Sequence, residues 1–413
     1  MEEFRYREGV LACEGVPLNE LAQVHGTPLY VYSERSIRER FKALDAAYAD
    51  VPHLICYAMK ANDNLAIVRM LGQLGAGVDV VSGGELFRAR RAGIPASRII
   101  FAGVGKTRGE IAQAIEEDIL LFNVESPAEL VAIGEVASEK RRVARVSVRV
   151  NPNVDPQTHP YISTGLKKNK FGVPTEQVVD VYRQALDHPY LEPVGIQMHI
   201  GSQLVRVQPI VDAVSRVIEL VQELRVVGIP IRYFDIGGGL GIRYRDEQPE
   251  GPADLACRVL PLIGSLGVTL LCEPGRFIVG SSGILLTKVL YRKDNGAKRF
   301  VVVDAGMNDL IRPSLYDAHH EIWPVQQKCG EEVVDVVGPI CESGDFLAHD
   351  RVLPPVAAGD LLAVLSAGAY GFAMASNYNA RPKPAEVLVA GNAARLVRRR
   401  ETYEDLIRAE EGL

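Results

Sequence analysis

The stretch "HLICYAMKANDNLAIVRMLGQLGAGVDVV", residues 53–81, decides the fold. It opens on an apolar run, 53–58 (HLICYA), passes Lys60 and a polar turn, continues through a helix-like segment, 63–74, and ends in a second apolar run, 78–81 (VDVV). A strand, a helix and a strand in succession make the two strands parallel, because the helix carries the chain back to the starting edge. The pattern repeats. Runs of strand composition stand at 99–102 (IIFA), 119–122 (ILLF), 145–150 (RVSVRV), 194–199 (VGIQMH), 232–236 (RYFDI) and 269–273 (TLLCE). Helix-like stretches such as 84–93, 126–139, 175–187 and 207–227 lie between them. The last of these carries apolar residues at 207, 210, 211, 214, 217, 218 and 221, which is helical spacing. Eight such units in about 250 residues are the arithmetic of an α/β protein of the (β/α)8 TIM-barrel type. An open doubly wound sheet is the alternative that the pattern alone leaves standing.

After residue 280 the texture changes. Apolar runs at 284–291, 299–304, 333–337, 361–366 and 385–389 follow closely, punctuated by Gly, Pro and Asn. They predict a mostly antiparallel β domain, a sandwich or barrel-like sheet, after the barrel. The expected division is 28–275 for the barrel domain and 1–27 plus 276–413 for the β domain. The N-terminal segment, with a strand-like "GVLAC" and a helix-like "LNELAQVHG", suits either part.

Bulk properties narrow the function classes. The 413 residues carry a formal net charge of -6, and 47% are hydrophobic and 24% charged, as in an ordinary globular protein. A mildly acidic chain offers no broad surface for nucleic acid, which requires clustered Lys and Arg. The short basic run "RLVRRR" (395–400) reads as a solvated face. No stretch approaches the roughly 18 continuous apolar residues of a membrane span, and the charged start "MEEFRYREG" is unlike a secretory signal. Six cysteines without a C-x-x-C pair suit a reducing cytoplasm and frame neither a metal site nor a disulfide network.

In a TIM barrel the chemistry lies at the C-terminal ends of the strands. Reading only those ends gives Lys60 after the first strand, Asp79 in the second, "HIGSQ" with His199 and Ser202 after the sixth, "DIGGGLG" (235–241) after the seventh, and "CEPGR" with Glu273 and Arg276 after the eighth. The loops after strands seven and eight are the usual phosphate site of such barrels, and glycines let backbone N–H groups approach an anion. A phosphate, a lysine and a carboxylate together point to pyridoxal phosphate. The lysine amine forms a Schiff base with its aldehyde, and a carboxylate keeps its ring nitrogen protonated. Taken singly, Lys60 reads equally as a surface lysine, His199 as a structural histidine and Glu273 as an ion-pair partner of Arg276. Their coincidence on one rim favours the site.

"YAMKAN", "VVSGGEL", "KFGV", "HIGSQ", "DIGGGLG" and "EPGR" resemble the fold type III pyridoxal-phosphate decarboxylases, over residues 25 to 390 or so. "AGMNDLIRPSLYDAHH" (305–320), "GPICESGD" (338–345) and "ASNYNARPKPAEVLV" (375–389) resemble the diaminopimelate decarboxylase branch in particular. The resemblance implies a barrel followed by a β domain. It implies that Lys60 bonds the cofactor, with Asp79 nearby and His199 against the ring. Ser202, Gly239 and the backbone of Gly275 and Arg276 would hold the phosphate, Gly238 and Pro274 would join in binding the cofactor, and Glu273 would pair with the ring nitrogen. Arg276, Arg312 and Tyr316 would hold the distal amino-acid end of meso-diaminopimelate, and Glu342 its distal ammonium. Tyr378 would touch cofactor and substrate, and Cys341 would donate the proton. Cys341 and Glu342 of this motif reach a neighbouring subunit's site in the family, which implies a homodimer with shared active sites.

The chemistry supports that branch. Both ends of the substrate are amino-acid groups, and the unreactive end must be gripped by both its charges. A planar Arg fork suits a carboxylate and an acid suits an ammonium, whereas ornithine presents only a distal amine. The alternatives are the same chemistry on ornithine, arginine, lysine or another amino acid, a racemase, or a non-catalytic relative that binds an enzyme. The polar segment 151–169 beside the barrel mouth is a candidate lid.

Overall fold

The computed structural model describes residues 3–155, 164–165 and 169–411. The candidate lid at 151–169 falls for the most part outside these.

Among the described residues the closed ring is made of eight parallel strands, β1 (His53–Ala58), β2 (Gly77–Val80), β3 (Ile99–Phe101), β4 (Leu121–Val124), β5 (Ala144–Asn151), β6 (Leu191–Met198), β7 (Tyr233–Asp235) and β8 (Thr269–Cys272), with the two-residue strand Val173–Pro174 paired in parallel on β5. Each pairs with the next. β8 returns to β1 through Leu270↔His53, Leu271↔Leu54 and Cys272↔Ile55, while β4 meets β5 through Phe122↔Val146, Asn123↔Ser147 and Val124↔Val148. The sheet is therefore closed, and the open doubly wound alternative falls. Closure buries both faces of the strands, which explains why Gly77–Val80 and Leu121–Val124 are buried at every position and read as continuous rather than alternating apolar runs.

The helices start where their sequences supply caps. Ser82 accepts from the Glu85 N–H, Thr107 and Glu110 form a capping box, and Ser126 accepts from the Glu129 N–H with Pro127 in the first turn. Each such side chain satisfies backbone donors that the helix cannot. The long helix Gln208–Val226 buries Ile210, Val214, Val217, Leu220, Val221 and Leu224, each contributing about 1.5–3 kcal/mol by leaving water.

The packing divides the chain into two units, residues 40–242 with 248–277, and residues 1–39 with 243–247 and 278–413. The first is the barrel. The second is the β unit, where strands follow the order Phe346–Leu353, Glu332–Val337, Arg299–Val303, Gly283–Asp294, Leu29–Ser33, Ala385–Ala390 and Ala393–Arg398. All these pairs are antiparallel except Leu29–Ser33 with Ala385–Ala390 and Arg299–Val303 with Glu332–Val337.

The sequence reading starts the barrel domain at residue 28. Leu29–Ser33 instead lies between two strands of the β sheet, buried at every position. Residues 3–27 belong with it, because Phe4, Leu11, Leu18 and Leu21 pack on Val31, Ile284 and Val387. The basic run 395–400 is not a bare charged face. Ala393–Arg398 is an edge strand paired with Ala385–Ala390, its charges suiting an exposed edge.

Candidate active site

One rim of the barrel carries the predicted chemistry. β1 stops at Ala58 and the chain makes a single 3-10 turn, Met59–Ala61, which delivers Lys60. Ala58 is the register partner of Asp79 in β2, so the lysine turns back over its neighbour. Lys60 Nζ donates to Asp79 Oδ2 at 2.5 Å. Asp79 is fully buried, and its Oδ1 has no hydrogen-bond partner among the described residues.

Glu273 directly follows β8 and is buried. Its Oε1 accepts from Asn123 Nδ2 in β4 and Gln197 Nε2 in β6, both at 3.2 Å, and Asn123 Nδ2 also donates to Asp235 Oδ2 at 3.3 Å. Asp79, Asn123, Gln197 and Glu273 thus come from the even strands, which share an interior layer in such barrels. Here that layer is polar. Burial, with Asp235 and Asp79 beside it, pushes the Glu273 carboxyl well above the usual range. Burial raises Asp235 to about 6. The Asn123 amide bridges the two carboxyls, and burying both favours one proton held by the pair.

His199 follows β6. The Gly238 N–H donates to its Nδ1 at 3.2 Å, so in the neutral ring the proton sits on Nε2. Burial, then the Arg149 and Lys60 cations, hold its pKa well below the ordinary value and keep the ring neutral. The glycine run is required by packing. A Cβ on Gly238 would stand 2.2 Å from the Glu273 carbonyl oxygen, and Gly239 has φ +115. Its carbonyl accepts from the Leu204 N–H at 2.9 Å. The loop after β7 can therefore nest between those after β6 and β8. Beside it, Arg276 Nε and Nη2 donate to Ser202 Oγ at 3.3 and 3.2 Å. The Pro274 carbonyl accepts from the Ala58 N–H at 3.1 Å, and a Cβ on Gly275 would meet that of Ala61 at 2.8 Å, so the loops after β1 and β8 are pressed together.

These residues fit pyridoxal phosphate. Among the described residues the buried polar layer keeps acceptors without a hydrogen-bond partner, Asp79 Oδ1, Asn123 Oδ1 and Gln197 Oε1. A lysine amine stands at the rim, and glycine backbone, a hydroxyl and a guanidinium line the loops where an anion would be held.

The remaining predicted residues lie in the β unit, on three loops. Arg312, buried, begins the short helix Arg312–Tyr316, which leaves Tyr316 half-buried. Arg312 Nη1 donates to His320 Nε2 at 3.0 Å. Ser314 Oγ donates to the Gly344 carbonyl at 2.5 Å, tying this helix to the loop 338–345. Within that loop Asp345 accepts from the Ile340 and Met307 N–H groups, each at 2.6 Å. The Cys341 N–H donates to Asn379 Oδ1 at 2.8 Å, and the Tyr378 hydroxyl donates to Glu342 Oε2 at 3.1 Å. Cys341, Glu342 and Tyr378 are exposed.

The sequence reading missed Asn123 and Gln197 as members of the site, and took Asp235 only as the start of "DIGGGLG". A signal was present: each is a polar residue at or next to the end of an apolar strand run, "LFNV", "GIQM" and "YFD".

A closed parallel barrel with a rim lysine, a buried pair of carboxyls and a glycine-lined anion loop defines a pyridoxal-phosphate enzyme of the barrel type. Consistently, the family described as "Pyridoxal-dependent decarboxylase, pyridoxal binding domain" matches residues 34–280. The diaminopimelate decarboxylase of Aquifex aeolicus is 53% identical over 404 residues, covering 97% of this chain and 96% of that protein. That of Pseudomonas aeruginosa is 50% identical, covering 99% of each. The crystal structure of diaminopimelate decarboxylase from Helicobacter pylori complexed with L-lysine superposes with a TM-score of 0.93 at 47% identity, covering 96% of this chain and all of that one. The chain belongs to the diaminopimelate decarboxylase family.

Proposed function

We propose that this protein decarboxylates meso-2,6-diaminopimelate to L-lysine and CO2 with pyridoxal phosphate as cofactor, the last step of lysine biosynthesis. The observation that carries this reading is near-full-length identity of about half to diaminopimelate decarboxylases, supported by the buried Arg312 beside Tyr316 and by Glu342 nearby in sequence to Cys341.

The cofactor, when bound, supplies an electron sink for the pair released at Cα as CO2 leaves. The chain's residues do the rest. Lys60 would anchor the cofactor covalently, and Asp79 would hold and orient that amine. Glu273, buried among amides and a second carboxyl, would face the ring nitrogen, where its negative form gains a cationic partner. His199, kept neutral, would lie against the ring and add no positive charge there. Ser202, Gly238, Gly239, Pro274, Gly275 and Arg276 would hold the phosphate. Arg276, Arg312 and Tyr316 would bind the distal carboxylate, Glu342 the distal ammonium, and Tyr378 would contact both cofactor and substrate. Cys341 would deliver the proton to Cα, a thiol being able to give up a proton near neutral pH.

We infer that a second copy of the chain completes each site. Cys341, Glu342 and Tyr378 are exposed, and a proton donor works at a fixed place only when a surface covers it. Among the described residues no helix is long and apolar enough to cross a membrane. We assign the reaction to the cytoplasm, in keeping with six free cysteines. The test is purified protein with added cofactor, comparing lysine formed from meso-diaminopimelate with turnover of ornithine. Lysine should form much faster, and faster ornithine loss sinks the substrate assignment.

A further inference from the structure

Arg312 is held by two side chains to which the roles above assign nothing. One is His320, fully buried, and the other is Tyr244, 7% exposed. Tyr244 follows the glycine loop closely in sequence, yet it packs as part of the β unit. Its ring lies under the guanidinium at 4.5 Å and meets His320 edge-on at 5.3 Å and 79°. The backbone N–H of Tyr244 is in turn held by Glu247 Oε2 at 3.0 Å.

The hydrogen bonds determine the protonation of His320. A guanidinium only donates, so the Nε2 that receives Arg312 Nη1 at 3.0 Å bears no proton. The proton is on Nδ1, which donates to the Leu365 carbonyl at 2.7 Å. That carbonyl belongs to a rigid frame: the Leu365 N–H donates to the Glu321 carbonyl at 2.8 Å, and the flanking strands Ile322–Pro324 and Leu361–Val364 pair in register. The chain Leu365–His320–Arg312 therefore runs from sheet backbone to guanidinium through one imidazole.

We propose that His320 and Tyr244 are positioning residues for Arg312, fixing its fork to read the carboxylate at the unreactive end of the substrate. The inference rests on the assignment of Arg312 to that carboxylate. A neutral imidazole orients the fork without cancelling its charge, as a carboxylate in the same place would. The Tyr244 face favours the cation and blocks rotation toward that side. Specificity for a substrate with a carboxylate at each end thus depends on a histidine that need not touch the substrate.

The experiment uses the full-length, cofactor-loaded enzyme with Asn and Gln at position 320. The amide of Asn reaches the place of Nδ1 and keeps the Leu365 bond; that of Gln reaches the place of Nε2 and keeps an acceptor for Arg312. His320→Asn should raise KM for meso-diaminopimelate about tenfold, the order expected for a lost charge-assisted hydrogen bond, with a much smaller fall in kcat. By calorimetry it should weaken L-lysine by a similar factor and leave 1,5-diaminopentane, the same chain without a carboxylate, unchanged. His320→Gln should stay within about threefold of the parent for all three, since the contact is kept. Equal effects of Asn and Gln, or equal weakening of L-lysine and 1,5-diaminopentane, would overturn the proposal and leave His320 a structural residue. Arg312→Lys separates the two levels. If it leaves L-lysine affinity intact, the assignment of Arg312 falls. If it weakens L-lysine while His320→Asn does not, only the positioning role is lost.

Discussion

The buried pair Asp235 and Glu273 should make the cofactor-free protein less stable as pH rises, and Asp235→Asn should remove a defined part of that loss. Asp235 is 1% exposed and burial raises its pKa from 3.8 to about 6. A carboxyl raised in the folded state binds its proton more tightly there than in the unfolded chain. Its contribution is therefore fully present below the unfolded value and is lost as pH climbs through the folded one. Roughly two pKa units at 1.36 kcal/mol each give about 3 kcal/mol, lost between about pH 4 and pH 7. Asn in place of Asp235 cannot ionise. It keeps an oxygen for the Gly237 N–H, which now donates to Asp235 Oδ1 at 2.9 Å. It loses the 3.3 Å contact with the Asn123 amide, a cost of about 1 kcal/mol that does not vary with pH. Removing the Asp235 charge also lowers the Glu273 carboxyl, which stays raised by burial and by Asp79; this acts in the same direction, since a carboxyl raised less loses less stability over the window. The assay is urea unfolding followed by circular dichroism at several pH values, with equal slopes required before midpoints are compared. The difference in stability, variant minus parent, should swing by about 3 kcal/mol in favour of the variant between pH 4 and pH 7. A difference flat to within about 1 kcal/mol would refute the buried-pair reasoning.

Three further outcomes are expected. Lys60→Ala should lack the visible absorbance that borohydride abolishes in the parent, and should lose activity by orders of magnitude; substantial turnover would remove Lys60 from its role. Gly238→Ala places a methyl group 2.2 Å from the Glu273 carbonyl oxygen, so thermal unfolding should report a loss of about 1–3 kcal/mol, with weaker cofactor retention on dialysis; an unchanged melting temperature would argue against the nested loops. Cys341→Ala should bind cofactor normally and turn over slowly, and mixing it with Lys60→Ala should restore part of the activity by forming sites with both intact residues. No recovery on mixing would count against shared sites.

Much of the site was legible because a parallel barrel puts its chemistry at strand ends, and strand ends can be located from apolar runs. Lys60, Asp79, His199 and Glu273 were found that way. Asn123, Gln197 and Asp235 stand at equivalent places but resemble ordinary polar interruptions until the barrel closes. Only closure brings β4, β6, β7 and β8 around one interior layer, with the Asn123 amide within 3.3 Å of carboxyls from two other strand ends. The strand Phe346–Leu353 was missed because its second half, "HDRVL", is charged and partly exposed. Ala393–Arg398 was missed because an exposed edge strand carries no apolar pattern.

By itself the sequence determined the alternation of strands and helices, the rim lysine, the glycine loop and the family motifs, since these depend on local spacing and residue type. Tertiary structure alone decided three things. Leu29–Ser33 joined the β sheet rather than the barrel, because pairing partners more than 250 residues away set its place. The buried Asp235–Glu273 pair came to favour a bound proton, because burial of two carboxyls side by side makes two charges too costly. Arg312 acquired its orientation from His320 and Tyr244, because a guanidinium takes its direction from whatever acceptor and aromatic face the fold places against it.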